Sequence, residues 1–448
     1  MKSNLELGIE IIERAKQKGA DEADLVIAQS FDNSCRIRLG KLENIEVSET
    51  RDIGIRVLLK GKKGYKSAII STNNFIDKNI DITLDRLIET AKISEEDEYT
   101  RLAEKGEYAE AAEDLEVFCD KEVTAETLKD WAKKCEDSAL SVKGITNTEG
   151  ADASYSQLNF ALVSSKGFAQ SYKNTGYSFS VSVIAENHDG METDYDYCYV
   201  RQIADLMNPE IVGKSASEKA VKKLSPRKIK TCKVPVIFDP LVSKSLLSSL
   251  CSALNGSAIS KKSSFLSDKM GQQILPENIS VIDDPLFMRG LGSQPFDAEG
   301  IKGKKEFLVE NGILKNWITD IRTAGKIGIT SLGRASRSVS SPPSPSATNV
   351  YMQAGKRTPQ EIISEIKEGL YLTDVFGMGV NGVTGDYSQG AAGFWIENGE
   401  IQYPVSEITV AGNLLEMLIR LEAANDLTFR YAKNAPTLKI DGMTIAGS

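Results

Sequence analysis

The stretch from Gly377 to Asn413, GMGVNGVTGDYSQGAAGFWIENGEIQYPVSEITVAGN, constrains the fold more than any other part of this chain. Eight glycines surround one aromatic and apolar centre (Phe394, Trp395, Ile396), and Asn398-Gly399 marks a tight hairpin. Glycine reaches backbone conformations closed to other residues, so such a segment is built for close approach of main chains. A GxGxxG spacing falls inside it at Gly377, Gly379 and Gly382. A dinucleotide site needs that spacing on a strand-to-helix turn, with the helix N-terminus facing the pyrophosphate. Here VTGDYSQGAAG follows and opens no helix, so the segment reads as a structural loop. The chain also lacks a Walker A sequence.

The second constraint is a scarcity. His188 is the only histidine in 448 residues, and most hydrolytic chemistries recruit histidine as base or ligand. There is no GxSxG elbow, and the Asn-His-Asp-Gly run around His188 reads as a turn between strands. Glu192, Asp194, Asp196 and Cys198 alternate onto one strand face, with Tyr195, Tyr197 and Tyr199 on the other. That row lacks EF-hand spacing and the nitrogen and sulfur ligands zinc prefers, so it reads as a solvated acidic face. Carboxylates such as Asp386 and Glu397 are plentiful, but nothing selects a glycosidase pair.

Hydrophobic content of 41% and charged content of 26% describe an ordinary globular chain, long enough for two or three domains. A net charge of −9 offers no general attraction to a phosphate backbone. The basic run RKIKTCK (227–233) reads as a solvated lead into a strand, so no direct nucleic-acid contact is expected. Six cysteines without a CxxC pair argue against a zinc ribbon, a redox dithiol or a disulfide framework. The N-terminus, MKSNLELGIEIIERAKQKG, carries acids where a signal peptide needs an apolar stretch. No run approaches the ~18 apolar residues of a membrane span. A reduced, cytoplasmic protein is expected.

Periodicity predicts an α+β fold: N-terminal α/β segments followed by a β-rich C-terminal domain of antiparallel hairpins. Leu5, Ile9, Ile12 and Ala15 predict a helix over 4–18. Strand-like runs DLVIAQS, CRIRLGKLENIEV and IGIRVLLKGKKGYKSAII follow, then a helical pattern at 81–95. The acidic stretch 94–114 reads as a solvated connector. A helix with Leu128, Trp131, Ala132, Cys135 and Ala139 on one stripe follows Thr124 as N-cap. Tyr177, Phe179, Val181 and Val183 alternate with serines as a half-buried strand, and a helix near 211–224 precedes Pro226. Beyond Val234 the pattern is β-rich with one helix at 240–254. Asn311-Gly312, Asn398-Gly399 and Asp441-Gly442 are candidate hairpin turns. The Pro/Ser-rich stretch 337–349 reads as an exposed loop. The expected domains are 1–110, 111–228 and 229–448.

Several blocks resemble the TldD/PmbA family, specifically its PmbA (TldE) branch. They are GADEADL (19–25), GKLENIEVSETRDIGIRV (40–57), the 194–240 segment, NGSAISKKSSFLSDKMGQQILP (255–276), QPFDAEGI (294–301), the 377–413 segment and PTLKIDGMTIAG (436–447). The resemblance implies a cytosolic peptidase complex. Its TldD-type subunit is similar to zinc metallopeptidases, with an HExxxH helix whose metal polarises the scissile carbonyl and lowers the pKa of bound water to about 7. Carried over through the Asn255-Gly256-Ser257 turn, the HExxxH positions fall on Leu247, Ser248 and Ser252, and no cysteine follows Cys251. The resemblance therefore implies no catalytic residue, no metal ligand and no cofactor in this chain, with zinc expected in a TldD-type partner.

Expected partners are that subunit, an unfolded or extended peptide, and a second copy of the chain. Strand edges of the C-terminal part would suit an extended peptide. Asp386, Tyr387, Ser388, Gly390 and Gly393 are the candidate peptide- or partner-facing residues, although glycine there equally fits a conformational need of the fold. Three functions follow. One is a non-catalytic metallopeptidase subunit acting on unfolded peptides or leader segments. Another is a stand-alone peptide-binding scaffold that forms homo-oligomers. The third is the older family description, modulator of DNA gyrase, read as an indirect effect.

Overall fold

The computed structural model describes residues 2–377 and 379–447. Met378, inside the glycine-rich segment, lies outside the described residues. The first helix, α1 (Asn4–Gln17), starts where Ser3 and Glu6 exchange hydrogen bonds in a capping box. Two long strands follow, β1 (Glu22–Arg38) and β2 (Lys41–Lys60), then β3 (Tyr65–Thr72), α2 (Asp77–Ile93) and β4 (Glu96–Asp97). The run CRIRLGKLENIEV is not one strand. It reverses at Leu39-Gly40, where both residues have positive φ, 49° and 74°. After α3 (Ala125–Leu140) come β5 (Ile145–Ser164), β6 (Ala169–Asn187), β7 (Gly190–Val200) and α4 (Pro209–Lys222).

These strands form one antiparallel sheet of seven, in the order β4-β3-β2-β1-β5-β6-β7. The sheet crosses the expected boundary at 110, because β1 pairs with β2 on one side and with β5 on the other. Two helix pairs cover its two ends. The α1 and α2 end buries Ile11, Leu25, Ile27, Ile55 and Leu84. The α3 and α4 end buries Leu128, Cys135, Tyr155, Phe179 and Val212. The predicted α3 stripe and its Thr124 cap are present.

Two polar expectations fail for the same reason: their charges meet partners distant in sequence. The row on β7 is not a solvated face. Asp194 and Asp196 are nearly buried; Lys223 bridges Asp194 at 2.7 Å and Asp374 at 2.8 Å, while Lys219 and Arg430 reach Asp196. The acidic stretch 94–114 is packed as well, with Leu102, Ala103 and Ala109 buried and Asp97 bound to Arg322. His188 stays in an exposed turn, as read.

The C-terminal half begins with β8 (Cys232–Phe238), α5 (Pro240–Ala253) and α6 (Gly256–Ser260). Then come β9 (Val281–Asp283), β10 (Glu306–Glu310), β11 (Ile313–Leu314), α7 (Ile321–Ile327), β12 (Ala335–Ser336), β13 (Ser344–Pro345), β14 (Val350–Met352) and α8 (Pro359–Ile363). The chain ends through β15 (Glu368–Phe376), β16 (Asp386–Glu397), β17 (Glu400–Asn413), α9 (Leu414–Ile419), β18 (Leu421–Ala423), β19 (Lys433–Asn434) and β20 (Leu438–Ala446). One sheet runs β17-β16-β15-β8-β20-β18, and β17 also pairs with β20 over Thr409–Ala411. Five of its strands therefore close on themselves, with the pair β8–β15 parallel. A second sheet, β11-β10-β9-β14-β19, lies on the far side of α5. The helix thus sits in the main core with Val236, Leu308, Val350 and Leu372.

Asn311-Gly312 and Asn398-Gly399 have the paired positive φ of type I′ turns, as their sequence predicts. Asp441-Gly442 does not turn a hairpin. It makes a bulge within β20, where pairing with β8 slips between Ile440 and Met443.

The Pro/Ser-rich stretch also departs from its reading as an exposed loop. Its Ser344-Pro345 pairs with Ala335-Ser336 just before it in the short β12–β13 ladder, and the segment straps the C-terminal half onto the first sheet. Arg337 is fully buried and reaches Asp24 on β1 at 3.0 Å, while Asp24 is also bound by Arg56 on β2. Gly54 leaves room for this strap, since a Cβ there would lie 2.0 Å from the Val339 carbonyl oxygen. At the far end, Thr348 donates to the buried Asp283, which also pairs with the buried Arg334 at 2.7 Å. Removing one member of a buried ion pair strands the other charge, so Asp24→Asn should cost about 3–5 kcal/mol. Urea denaturation of full-length protein checks this, and a cost under about 1 kcal/mol would show that the strap is not held by charge.

Candidate functional site

Asp239 caps α5 by accepting from the Leu241 N–H at 2.9 Å, and Pro240 occupies the first helical turn. Leu246, Leu247 and Leu250 turn inward and are buried. Ser248, Ser249 and Ser252 turn outward, onto a cleft of about 280 Å³. Its opposite wall is Phe265, Val380 and Gly382, the last two from the glycine-rich loop between β15 and β16. The cleft therefore joins the two most informative parts of the sequence: the helix carrying the HExxxH positions and the loop carrying the glycines.

The loop is fixed by its own backbone. The Phe265 N–H donates to Gly382 O (2.9 Å), Ser388 N–H to Gly379 O (2.9 Å) and Leu414 N–H to Gly385 O (2.7 Å). The Asn381 side chain accepts from Val383 N–H at 2.9 Å. No helix follows the GxGxxG spacing, so the phosphate-cradling geometry is absent from this described loop.

The turn after α5 rests on a buried polar layer. Asn255 caps α6 and donates to Pro345 O at 2.8 Å, tying the turn to the strap. A Cβ on Gly256 would lie 2.6 Å from Thr323 Oγ1. Thr323 in turn donates to Asp320, and the Ile321 N–H donates to Glu299. Asp297 accepts from the N–H groups of Glu299, Ile301 and Ala335. Burial pushes the Asp297 carboxyl up to about 6, and burial beside Asp297 and Asp320 holds Glu299 well above the usual carboxylate range. The QPFDAEGI block signals this layer in the sequence, but spacing alone could not show that it underlies the α5–α6 turn.

The candidate peptide-facing residues divide. Asp386 is exposed and accepts from Thr384 Oγ1 at 2.6 Å; Ser388 is exposed. Tyr387 is 2% exposed and packs in the core, its hydroxyl without a hydrogen-bond partner among the described residues. Gly393 sits where a Cβ would lie 2.1 Å from Tyr371 O, a position the fold demands. Gly390 would meet only ordinary contacts near 3.7 Å, and Gly382 only Ser263 O at 3.8 Å. Moreover, β16 is paired along one side with β17 throughout, and along the other with β15 over 390–397 and with the glycine-rich loop over 386–388, through Val380 beside Tyr387 and the Ser388 N–H to Gly379 O bond. It offers no free edge to a peptide; the open surface is the loop and the serine face of α5.

The donor set at the carried-over positions does not suit zinc. Leu247 offers no donor atom, Ser248 brings only a neutral hydroxyl, and the Ser252 hydroxyl donates to Ser248 O at 3.0 Å. Among the described residues no group of three or more His, Cys, Asp or Glu side chains is arranged to hold a metal. What the cleft offers is hydroxyl groups, bare loop backbone and one aromatic wall, a chemistry of binding.

A closed strand ring wrapped on a central helix, strapped to a long seven-stranded sheet, defines a multidomain α+β protein with a cleft at the helix. The PmbA/TldA metallopeptidase models match in series: domain 1 over 23–92, the central domain over 120–224 and the C-terminal domain over 231–447. The chain belongs to the PmbA/TldD metallopeptidase family. It is 35% identical to Metalloprotease PmbA of Escherichia coli O157:H7 over 96% of its length and 93% of that protein. A Bacteroides thetaiotaomicron protein described as a modulator of DNA gyrase superposes with a TM-score of 0.90 at 26% identity, covering all of both chains. TldE from Thermococcus kodakarensis shares the fold, with a TM-score of 0.85 at 23% identity over 98% of this chain and all of that one. No helix among the described residues is long and apolar enough to cross a membrane.

Two outcomes test this geometry. Gly393→Ala should cost about 1–3 kcal/mol in urea denaturation through overpacking, while Gly390→Ala stays within about 0.5 kcal/mol. The buried carboxyls set a pH dependence. Their folded pKa values are raised, so their contribution is full below the unfolded value of about 4 and is lost as pH rises through the folded values, about 6 for Asp297. Glu299→Gln should flatten that decline in a stability–pH series; an unchanged decline would place its origin elsewhere.

Proposed function

We propose that this chain is a non-catalytic subunit of a cytoplasmic metallopeptidase complex, paired with a TldD-type chain that carries HExxxH and the zinc. In this reading it completes a chamber and holds an unfolded or extended peptide, including leader segments, for cleavage by the partner. The observation that carries the proposal is the serine face of α5. The positions where a metallopeptidase of this family would present histidine and glutamate are Leu247, Ser248 and Ser252, beside a cleft built for binding. Backbone at Val380–Gly382 and the serine hydroxyls favour an extended main chain over any particular side chain, which suits substrates without folded structure.

A stand-alone peptide-binding scaffold is the second reading, favoured by the same cleft if no mixed complex forms. The gyrase-modulator description of the structural neighbour belongs with an indirect effect here, since a net charge of −9 provides no general phosphate-binding field.

The test mixes the purified chain with an HExxxH-bearing family member and follows cleavage of an unfolded peptide, with and without chelator. Cleavage should require both chains and be abolished by chelator. Chelator-sensitive cleavage by this chain alone would overturn the proposal. Gly382→Leu, at a position where an added Cβ meets only Ser263 O at 3.8 Å, should preserve assembly and lower kcat/KM of the mixed complex about tenfold. Unchanged turnover would remove the cleft from the peptide path.

A further inference from the structure

From Lys41 to Asp52 the outer edge of β2 has no strand beside it among the described residues, because β3 pairs only with Ile53–Lys60. Residues 41–47 are exposed throughout, including Leu42 (46%), Ile45 (42%) and Val47 (61%). The strand contains neither proline nor glycine over this length. A long apolar edge of this kind is a template for pairing with another chain.

Its pattern shows what pairs with it. Leu42 lies opposite Ile37 and Asn44 opposite Arg36, which leaves Glu43 as an extra, bulged residue. The bulge resets the alternation, so Leu42 joins Ile45 and Val47 on the face shared with the buried Cys35 and Ile37. Lys41, Asn44, Glu46 and Ser48 take the other face.

We infer that this edge pairs antiparallel with the same edge of a second copy of the chain, about a two-fold axis at Ile45. The two seven-stranded sheets then become one continuous sheet. A two-fold axis perpendicular to a sheet keeps every side chain on its own face, so only registers centred on one residue are open. Centring on Ile45 sets it against Ile45 of the partner subunit. Because Glu43 is extra in both strands, Leu42 then meets Val47 of the partner subunit, twice by symmetry.

On the other face Asn44 meets Glu46 of the partner subunit, and Lys41 lies diagonally across from that carboxylate. Glu43 is already engaged by Arg36 at 3.4 Å within its own chain, whereas Lys41 and Glu46 form no ion pair among the described residues. Centring on Glu46 opposes two carboxylates, centring on Val47 sets Ile45 against Glu49, and centring on Asn44 keeps the apolar and charged pairs but leaves Val47 opposite the turn at Gly40. This pairing is independent of the peptide-handling role and of any second type of subunit.

Sedimentation velocity on the full-length chain at micromolar concentration tests the pairing. The parent chain should be a dimer and Ile45→Lys a monomer, with unchanged circular dichroism showing that it folds. Lys41→Glu should weaken dimerisation about tenfold, since two pairs are reversed by symmetry. The double reversal Lys41→Glu/Glu46→Lys should restore it. A monomeric parent, a dimer that survives Ile45→Lys, or a double reversal no tighter than the single one would each overturn the inference.

Discussion

The architecture turns on Asp24. This carboxylate is buried where β1 meets the C-terminal half, and it receives one guanidinium from each side: Arg56 of the neighbouring strand and Arg337 of the strap. Burial alone pushes its pKa up, but the two arginines outweigh that and hold it below the usual carboxylate range. The ion cluster joins residues more than three hundred positions apart. It fixes the first sheet against the half of the molecule that carries α5. Without it, the strap from Arg337 to Asn349 would lose one of its two buried anchors, and with it support for the Pro345 carbonyl that accepts from Asn255 at the base of the cleft.

The second polar layer works in the opposite sense. Asp297 and Glu299 sit where charge is disfavoured, and backbone N–H groups donate to both. The raised pKa of Glu299 reflects burial and the repulsion of neighbouring carboxylates, and its carboxyl accepts from the Ile321 N–H at 2.9 Å. Between them, the two layers supply the contacts on which the α5–α6 turn rests: Pro345 O for Asn255 and Thr323 against Gly256. In the proposed role, a cleft resting on this hydrogen-bonded base would hold an extended peptide at a lower ordering cost.

Much of this was legible in the sequence because the relevant signals are local. The Thr124 cap, the Tyr177–Val183 alternation and the two Asn-Gly turns each depend on a few adjacent residues, and each formed as read. The glycine-rich segment was legible as close backbone packing, and Gly393 against Tyr371 O shows one reason for it. What could not be read was long-range. The Pro/Ser-rich stretch looked free because its partners, Asp24 and Gly54, lie in another part of the chain. The β7 carboxylates looked solvated because Lys223 and Arg430 come from elsewhere. Asp441-Gly442 satisfied a turn rule, but pairing of both flanks of β20 with β8 made it a bulge. Likewise, the candidate residues on β16 are separated by burial: Asp386 and Ser388 face outward, while Tyr387 belongs to the core.

The proposed role requires α5 to present a binding surface, and to hold no metal, at the positions carried over from HExxxH. Zinc binding by the purified chain, measured by equilibrium dialysis with metal analysis, tests this most directly. Less than a tenth of an equivalent retained at micromolar free zinc, about the level of adventitious surface binding, is the expected result. One tightly held equivalent per chain, released by chelator and lost on changing Ser248 or Ser252, would contradict it.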